Sequence, residues 1–237
     1  MFSFALTNQR RNAVIVGVLF IIATSFLFLG EAFYRPFLDA PDVLEIAAQN
    51  KPTIVLGLAI ELICILAMPL IGAFIFPILS RVSVGMAASY FFFRSFEAVI
   101  LISSALTNKF AILSLSEAYA AEGDPANLEA ALALARAQNL WTNTDAPIYN
   151  VVFVCGALCL YAVLFYARLI PRWISLWGLL SASLLGVLAA SAVFVRLPPL
   201  WEGALIAPLA VQEMVMALWF IFRGFDTSDL SHPNSGP

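Results

Sequence analysis

Six apolar runs, at 13–29, 53–79, 82–106, 146–167, 173–195 and 203–222, constrain this chain more than any motif in it. Each is close to the ~20 residues that a helix needs to cross ~30 Å of hydrocarbon, the longer ones with tilt or a kink. A backbone in lipid must satisfy its own N–H and C=O groups, which leaves helices or a closed barrel. Barrel strands would show as ~10-residue segments of alternating polarity, and these runs do not alternate. With 62% hydrophobic and only 11% charged residues, against roughly 25% charged in soluble domains, the expectation is an all-α polytopic membrane protein, a six-transmembrane-helix bundle. Its partner is then the lipid bilayer. A net charge of -3 and the lack of a basic face argue against nucleic acid.

The basic residues set the expected orientation. Arg10, Arg11, Arg81, Arg168, Arg172 and Arg223 fall next to short connections on one side. On the other side Arg35, Lys51, Lys109, Arg136 and Arg196 are spread along outer loops 30–52 and 107–145 and the last hairpin, among ten acidic residues. The positive-inside rule therefore predicts cytoplasmic N and C termini. One membrane domain is expected over 1–225, followed by a disordered polar tail at 226–237. Arg10 and Arg11 before the first run give it a signal-peptide look. No convincing small-residue cleavage site precedes Glu31, so a retained signal-anchor helix is expected.

Local signals refine this outline. Pro69 and Pro77 each remove a hydrogen bond from the second helix and predict a bend toward its later end. Asp145 two residues before Pro147 marks a helix start. A short surface helix is expected between Asp39 and Asn50, and a second from Asp124, where Leu128, Leu132 and Ala135 recur at helical spacing. Trp141, Trp173 and Trp201 fall at the boundaries, where indole rings prefer to sit.

Function is signalled by four ionisable residues inside the runs: Glu61, Arg94, Glu97 and Glu213. Charge in a bilayer is costly and marks a ligand, ion or proton site by default. At ~1.5 Å per residue, Glu61 falls ~12 Å below the outer boundary, Glu97 and Glu213 ~15 Å, and Arg94 slightly deeper. Arg94 and Glu97, three apart, share a helix face. One interior cluster of all four is expected, with three carboxylates against one guanidinium leaving a formal charge of -2. A proton, a cation or water must relieve that excess. Asp145, Tyr149 and Asn150 on the fourth helix and Gln212 beside Glu213 would line an approach from outside.

Several chemistries lack their residues. The single histidine, His232, lies in the polar tail, which leaves haem, di-iron and zinc hydrolase sites without ligands. No run holds a lysine for a Schiff base, and neither a Gly-x-Ser-x-Gly elbow nor a phosphate-binding glycine loop occurs. Cys64, Cys155 and Cys159 lie in apolar runs without metal or redox spacing and read as packing residues. No catalytic residue, metal ligand or cofactor is assigned.

Three stretches in this order resemble a bacterial membrane family catalogued as domain of unknown function 4386. They are Arg94-Ser95-Phe96-Glu97, Arg168-Leu169-Ile170-Pro171-Arg172-Trp173, and Gln212-Glu213 running through Trp219 to Arg223-Gly224-Phe225. The resemblance covers nearly the whole chain. It implies a multi-pass protein of the bacterial cytoplasmic (inner) membrane with about six helices, and no specific activity. The leading expectation is a transporter or membrane sensor that takes a small polar or anionic ligand, a cation or a proton in an outward-facing cavity. The alternatives are an intramembrane enzyme acting on a lipid or small apolar substrate through a glutamate, and a structural or partner subunit whose charges lock helices together.

Overall fold

The computed structural model describes residues 2–40, 42–122, 147–191 and 199–228, with isolated positions between 126 and 133. Every element among them is helical. In chain order these are α1 (Phe2–Leu38), α2 (Val43–Gln49), α3 (Lys51–Leu79), α4 (Val84–Ile100), a π-helical segment (Leu101–Leu106), α5 (Thr107–Glu122), α6 (Pro147–Tyr166), α7 (Arg172–Ser191) and α8 (Pro199–Phe222). Five of the described helical stretches are long and apolar enough to cross a membrane; α8 adds a shorter apolar stretch, Ala207–Phe222. The protein is an integral membrane protein on this architecture.

The helices begin and end for local reasons. Ser83, in extended conformation, accepts a hydrogen bond from the Met86 backbone N–H and caps α4. Pro52 occupies the first turn of α3, where its missing N–H costs nothing, and the helix continues through Pro69 and Pro77. Gly224, at φ +80°, ends α8 in the left-handed region that glycine enters freely. Arg10 of α1 then donates to the α8 carbonyls of Phe220 (2.9 Å), Ile221 and Phe222 (3.2 Å). This caps the α8 C-terminus with a cation and places the start of α1 beside the end of α8. Arg81, Arg168, Arg172 and Arg223 lie at helix ends; the end of the bundle that carries both described chain ends is called here the terminal end.

Two apolar cores are stacked along the bundle. The larger joins α1, α3, α4, α6, α7 and α8 around Phe20, Ile71, Ile75, Tyr161 and Phe220. The second, toward the opposite end, joins α1, α2, α3 and the α4–α5 helix around Tyr34, Leu44, Ile54, Leu58 and Ile112. Outward residues such as Phe92, Leu180 and Val187 are apolar and exposed, as a lipid-facing surface requires.

The structure corrects two expected loops. In 30–52, α1 continues to Leu38 and α2 follows, the latter in the stretch where a short helix was expected. In 107–145, the third apolar helix passes through its π-helical segment into α5 and reaches Glu122. Hydropathy falls there because α5 packs on protein: the Ser116 hydroxyl donates to the Leu44 carbonyl (2.7 Å) and accepts from the Ala48 N–H (2.8 Å). Lys51 pairs with Glu117 at 2.5 Å on the rim of this contact. Residues 226–228, expected in the tail, are tied to the bundle by the Asp226 N–H donating to Leu169 O (2.8 Å) and by the contact of the Thr227 hydroxyl with the Gln9 side-chain amide (3.4 Å). The expected surface helix from Asp124, and Asp145, Trp141 and the Trp201 side chain, lie outside the described residues.

Candidate functional site

Arg94 lies about 15 Å along α4 from its Val84 start, and Glu213 a similar distance along α8 from Phe222. That is half the thickness of a ~30 Å hydrocarbon core, and the side chains gathered at this level are called here the midplane group. Arg94 is 5% exposed and Glu97 fully buried, and the Arg94 Nη1 donates to Glu97 Oε2 at 2.7 Å. The Thr24 hydroxyl of α1 donates to Glu213 Oε2 at 3.0 Å. Arg94 and Glu213 line one small cavity together with Phe20, Tyr90, Phe153, Ala157, Leu160 and Tyr161. Its volume of about 10 Å³ matches what a single water needs, ~10–15 Å³. Three buried polar atoms here have no hydrogen-bond partner among the described residues: Tyr90 Oη, Arg94 Nε and Glu97 Oε1. The group thus holds one guanidinium, paired with Glu97, and a second carboxylate, Glu213, with a formal charge of -1.

Glu61 is not part of this group. Counted from the Leu79 end of α3 it lies about 27 Å along the helix, nearly twice as far from the terminal end as Arg94. Its carboxylate accepts two hydrogen bonds from Lys109 Nζ, at 2.7 and 2.8 Å. Lys109 also donates to the Tyr34 hydroxyl at 2.8 Å and sits 4.2 Å from the centre of that ring. Glu61 and Lys109 are 2% and 5% exposed. The expected charge of -2 thus becomes -1 at the midplane and zero at a second, separate pair. The expected common depth fails because α3 and the α4–α5 helix are longer than the hydrocarbon is thick, so the outer boundary cannot be set at the end of the apolar run.

Small residues bring these side chains into place. An added Cβ at Gly30 would meet the Gly57 carbonyl at 2.8 Å, and one at Gly57 would meet the Gly30 carbonyl at 2.8 Å. The backbones of the antiparallel α1 and α3 touch at this crossing, with Gly30 against the Glu61 backbone and Gly57 against the Tyr34 ring, each 3.2 Å from where a Cβ would stand. Gly156 lets α6 close on Phe93 and Glu97, and Gly178 of α7 receives the face of the Tyr161 ring, 2.6 Å from where a Cβ would stand. Tyr161 in turn donates to Gln212 Oε1 (2.7 Å), and Gln212 Nε2 donates to Ile174 O (3.1 Å). Gln212, expected as a lining residue, instead bridges α6, α7 and α8 behind Glu213. Asn150 is buried on α6, while Tyr149 is half-buried and within Coulombic reach of Glu97 and Arg94.

Residues 15–224 match the family described as Domain of unknown function (DUF4386). The chain belongs to this family. No curated protein and no solved structure matches it. The matched stretch of this DUF4386 protein contains every side chain of the midplane group and of the Glu61–Lys109 pair.

Thr24, Tyr90, Tyr161, Tyr34 and Lys109 complete these two sites and were not expected there. Lys109 had a signal: Glu61 was an intramembrane acid in need of a cation, and Phe110, Ile112, Leu113 and Leu115 continue an apolar pattern past Leu106. The hydroxyl residues had none, because a tyrosine or threonine in an apolar run packs equally well as a neutral side chain. Among the described residues no group of three or more His, Cys, Asp and Glu could hold a metal ion.

Proposed function

We propose that this protein is a membrane transporter or sensor whose midplane group, Arg94 with Glu97 and Glu213, takes up and releases a proton. The observation that carries this reading is one guanidinium that pairs with the buried Glu97 and shares a cavity the size of a single water with the half-buried Glu213. A net charge of -1 in that setting is relieved by one proton, and the carboxylate outside the direct ion pair is Glu213. Its bond from the Thr24 hydroxyl can reverse: Thr24 donates to the carboxylate and accepts from the carboxylic acid. The same volume speaks for a proton over a hydrated ion or an organic ligand, and against an intramembrane enzyme with a bound substrate.

In this reading α8 makes the sixth crossing, and the terminal end, with Arg10, Arg81, Arg168, Arg172 and Arg223, faces the cytoplasm of a bacterial inner membrane. The Glu61–Lys109 pair closes the way from the midplane to the other side.

Two measurements test the proposal. Infrared difference spectra of the reconstituted protein, recorded between about pH 5 and 9 to span shifted carboxyl groups, should show a protonated-carboxyl band that titrates and is missing in Glu213→Gln. Proteoliposomes carrying the native chain should dissipate an imposed pH gradient when a driven solute is present, and Glu213→Gln vesicles should not. A carboxyl spectrum unchanged over the whole range would reduce the group to a helix lock.

A further inference from the structure

A larger cavity, about 520 Å³, opens at the terminal end between the α6–α7 connection and the end of α8. Its volume lies within the ~300–1,000 Å³ of small-molecule sites. Arg168, Arg172 and Arg223 line it together with Trp219 and Asp226. In the sequence these arginines count toward the basic side of the positive-inside rule; the fold gathers them around one space. Three guanidinium groups against one carboxylate leave it with a charge of +2.

None of the three arginines forms an ion pair among the described residues. Arg223 is not needed to cap α8, because Arg10 already holds the terminal carbonyls. Asp226 is turned to Ser228, which donates to its carboxylate from the backbone N–H (3.1 Å) and the hydroxyl (2.6 Å) and holds it below the usual carboxylate range. Arg172 lies over the Phe165 ring, 5.3 Å from its centre. Arg168 is the one non-glycine residue at positive φ among those described, at 52°. It occupies the position after α6 that glycine fills most cheaply, with the Leu169 N–H returning to Leu164 O at 3.2 Å. A strained arginine where glycine would serve better points to its side chain.

The height of the cavity narrows the ligand. Trp173 and Trp177 stack on each other at the start of α7, directly after the cavity-lining Arg172, 6.5 Å between ring centres, and Trp173 is exposed. Indoles at helix ends mark the headgroup layer. A basic recess between helix ends at that level fits phosphate, which planar guanidinium groups bind with paired hydrogen bonds. We propose that this cavity binds a phosphate-bearing anion, supplied either as the headgroup of an acidic phospholipid or as a free phosphate compound. The assignment is independent of the midplane group.

The full-length protein in detergent can be tested by native mass spectrometry with cardiolipin, with phosphatidylcholine and with inorganic phosphate. Two variants accompany it, Arg168→Gly and Arg223→Gln. Retention of cardiolipin over phosphatidylcholine, weakened about fivefold by each variant, assigns the site to a lipid headgroup. Inorganic phosphate weakened in the same way, with the two lipids retained alike, assigns it to a free phosphate compound. Binding that neither variant changes, or no preference among the three probes, overturns the proposal. Arg168→Gly also separates binding from folding: glycine suits φ 52°, so its melting temperature should equal or exceed that of the native chain while its binding falls.

Discussion

A buried cation is stable next to a carboxylate and expensive without one, and Lys109 shows how closely this chain depends on that balance. Its ammonium spends two hydrogen bonds on Glu61 and one on Tyr34, with the ring of Tyr34 covering part of what remains. Removing one charge should leave the other buried and unpaired, so Lys109→Met is expected to cost ~3–5 kcal/mol, and the double change Lys109→Met with Glu61→Leu much less than either single one. Reversible unfolding in mixed detergent micelles provides the double-mutant cycle. A cost of Lys109→Met below ~1 kcal/mol is what a solvated surface pair would give, and it would move this pair out of the protein interior. Arg94 is placed differently. It pairs with Glu97 beside a second carboxylate, Glu213, and its Nε has no partner among the described residues, so its surroundings are under-satisfied by construction.

At the scale of elements, the two charged sites are held by helix crossings that only small residues permit. Gly57→Ala sets a methyl group 2.8 Å from the Gly30 carbonyl and from Phe33 Cβ, and a backbone contact of that kind gives way only if α1 and α3 separate. A loss of ~1–3 kcal/mol is expected. Gly85→Ala, with nothing within 4 Å of the new methyl, should instead be neutral or gain up to ~1 kcal/mol from helix propensity. Melting temperatures of the two variants in one detergent check the contrast, and equal shifts would mean that the α1–α3 crossing is not in backbone contact. The helices themselves were largely legible in the sequence because hydropathy reports burial in lipid. The π-helical segment was not. Leu101–Leu106 has no proline or glycine to announce it, and hydroxyls absorb its irregular bonding: Thr107 donates to Ile102 O at 2.6 Å and Ser103 to Ile100 O at 3.3 Å. Beyond it the apolar run ends while the helix does not, so Lys109 was placed in a loop. Glu61 then lost its partner and was assigned to the wrong group. Arg94 with Glu97 was legible from spacing alone, and Glu213 from its depth, since both rest on distances along one helix.

For the whole molecule, the arrangement of charge along the bundle makes a claim about topology. The terminal end gathers arginines at the ends of several helices, the midplane holds a net -1, and the neutral Glu61–Lys109 pair lies beyond it under the cover formed by α2 and α5. Such a gradient orients a bundle by the positive-inside rule. The contacts of Arg10 with α8 and of Thr227 with Gln9 require the two chain ends to lie on one side, whereas Asn50, between α2 and α3, belongs to the other. Single cysteines at Asn50, Arg81 and Ser228, in a background with Cys64, Cys155 and Cys159 replaced by alanine, test this in intact cells. A membrane-impermeant maleimide should label Asn50→Cys directly, and Arg81→Cys and Ser228→Cys only after lysis. Labelling of Arg81→Cys and Ser228→Cys but not Asn50→Cys would invert the bundle. Separation of Arg81→Cys from Ser228→Cys would remove the sixth crossing by α8, and with it the midplane position of Glu213.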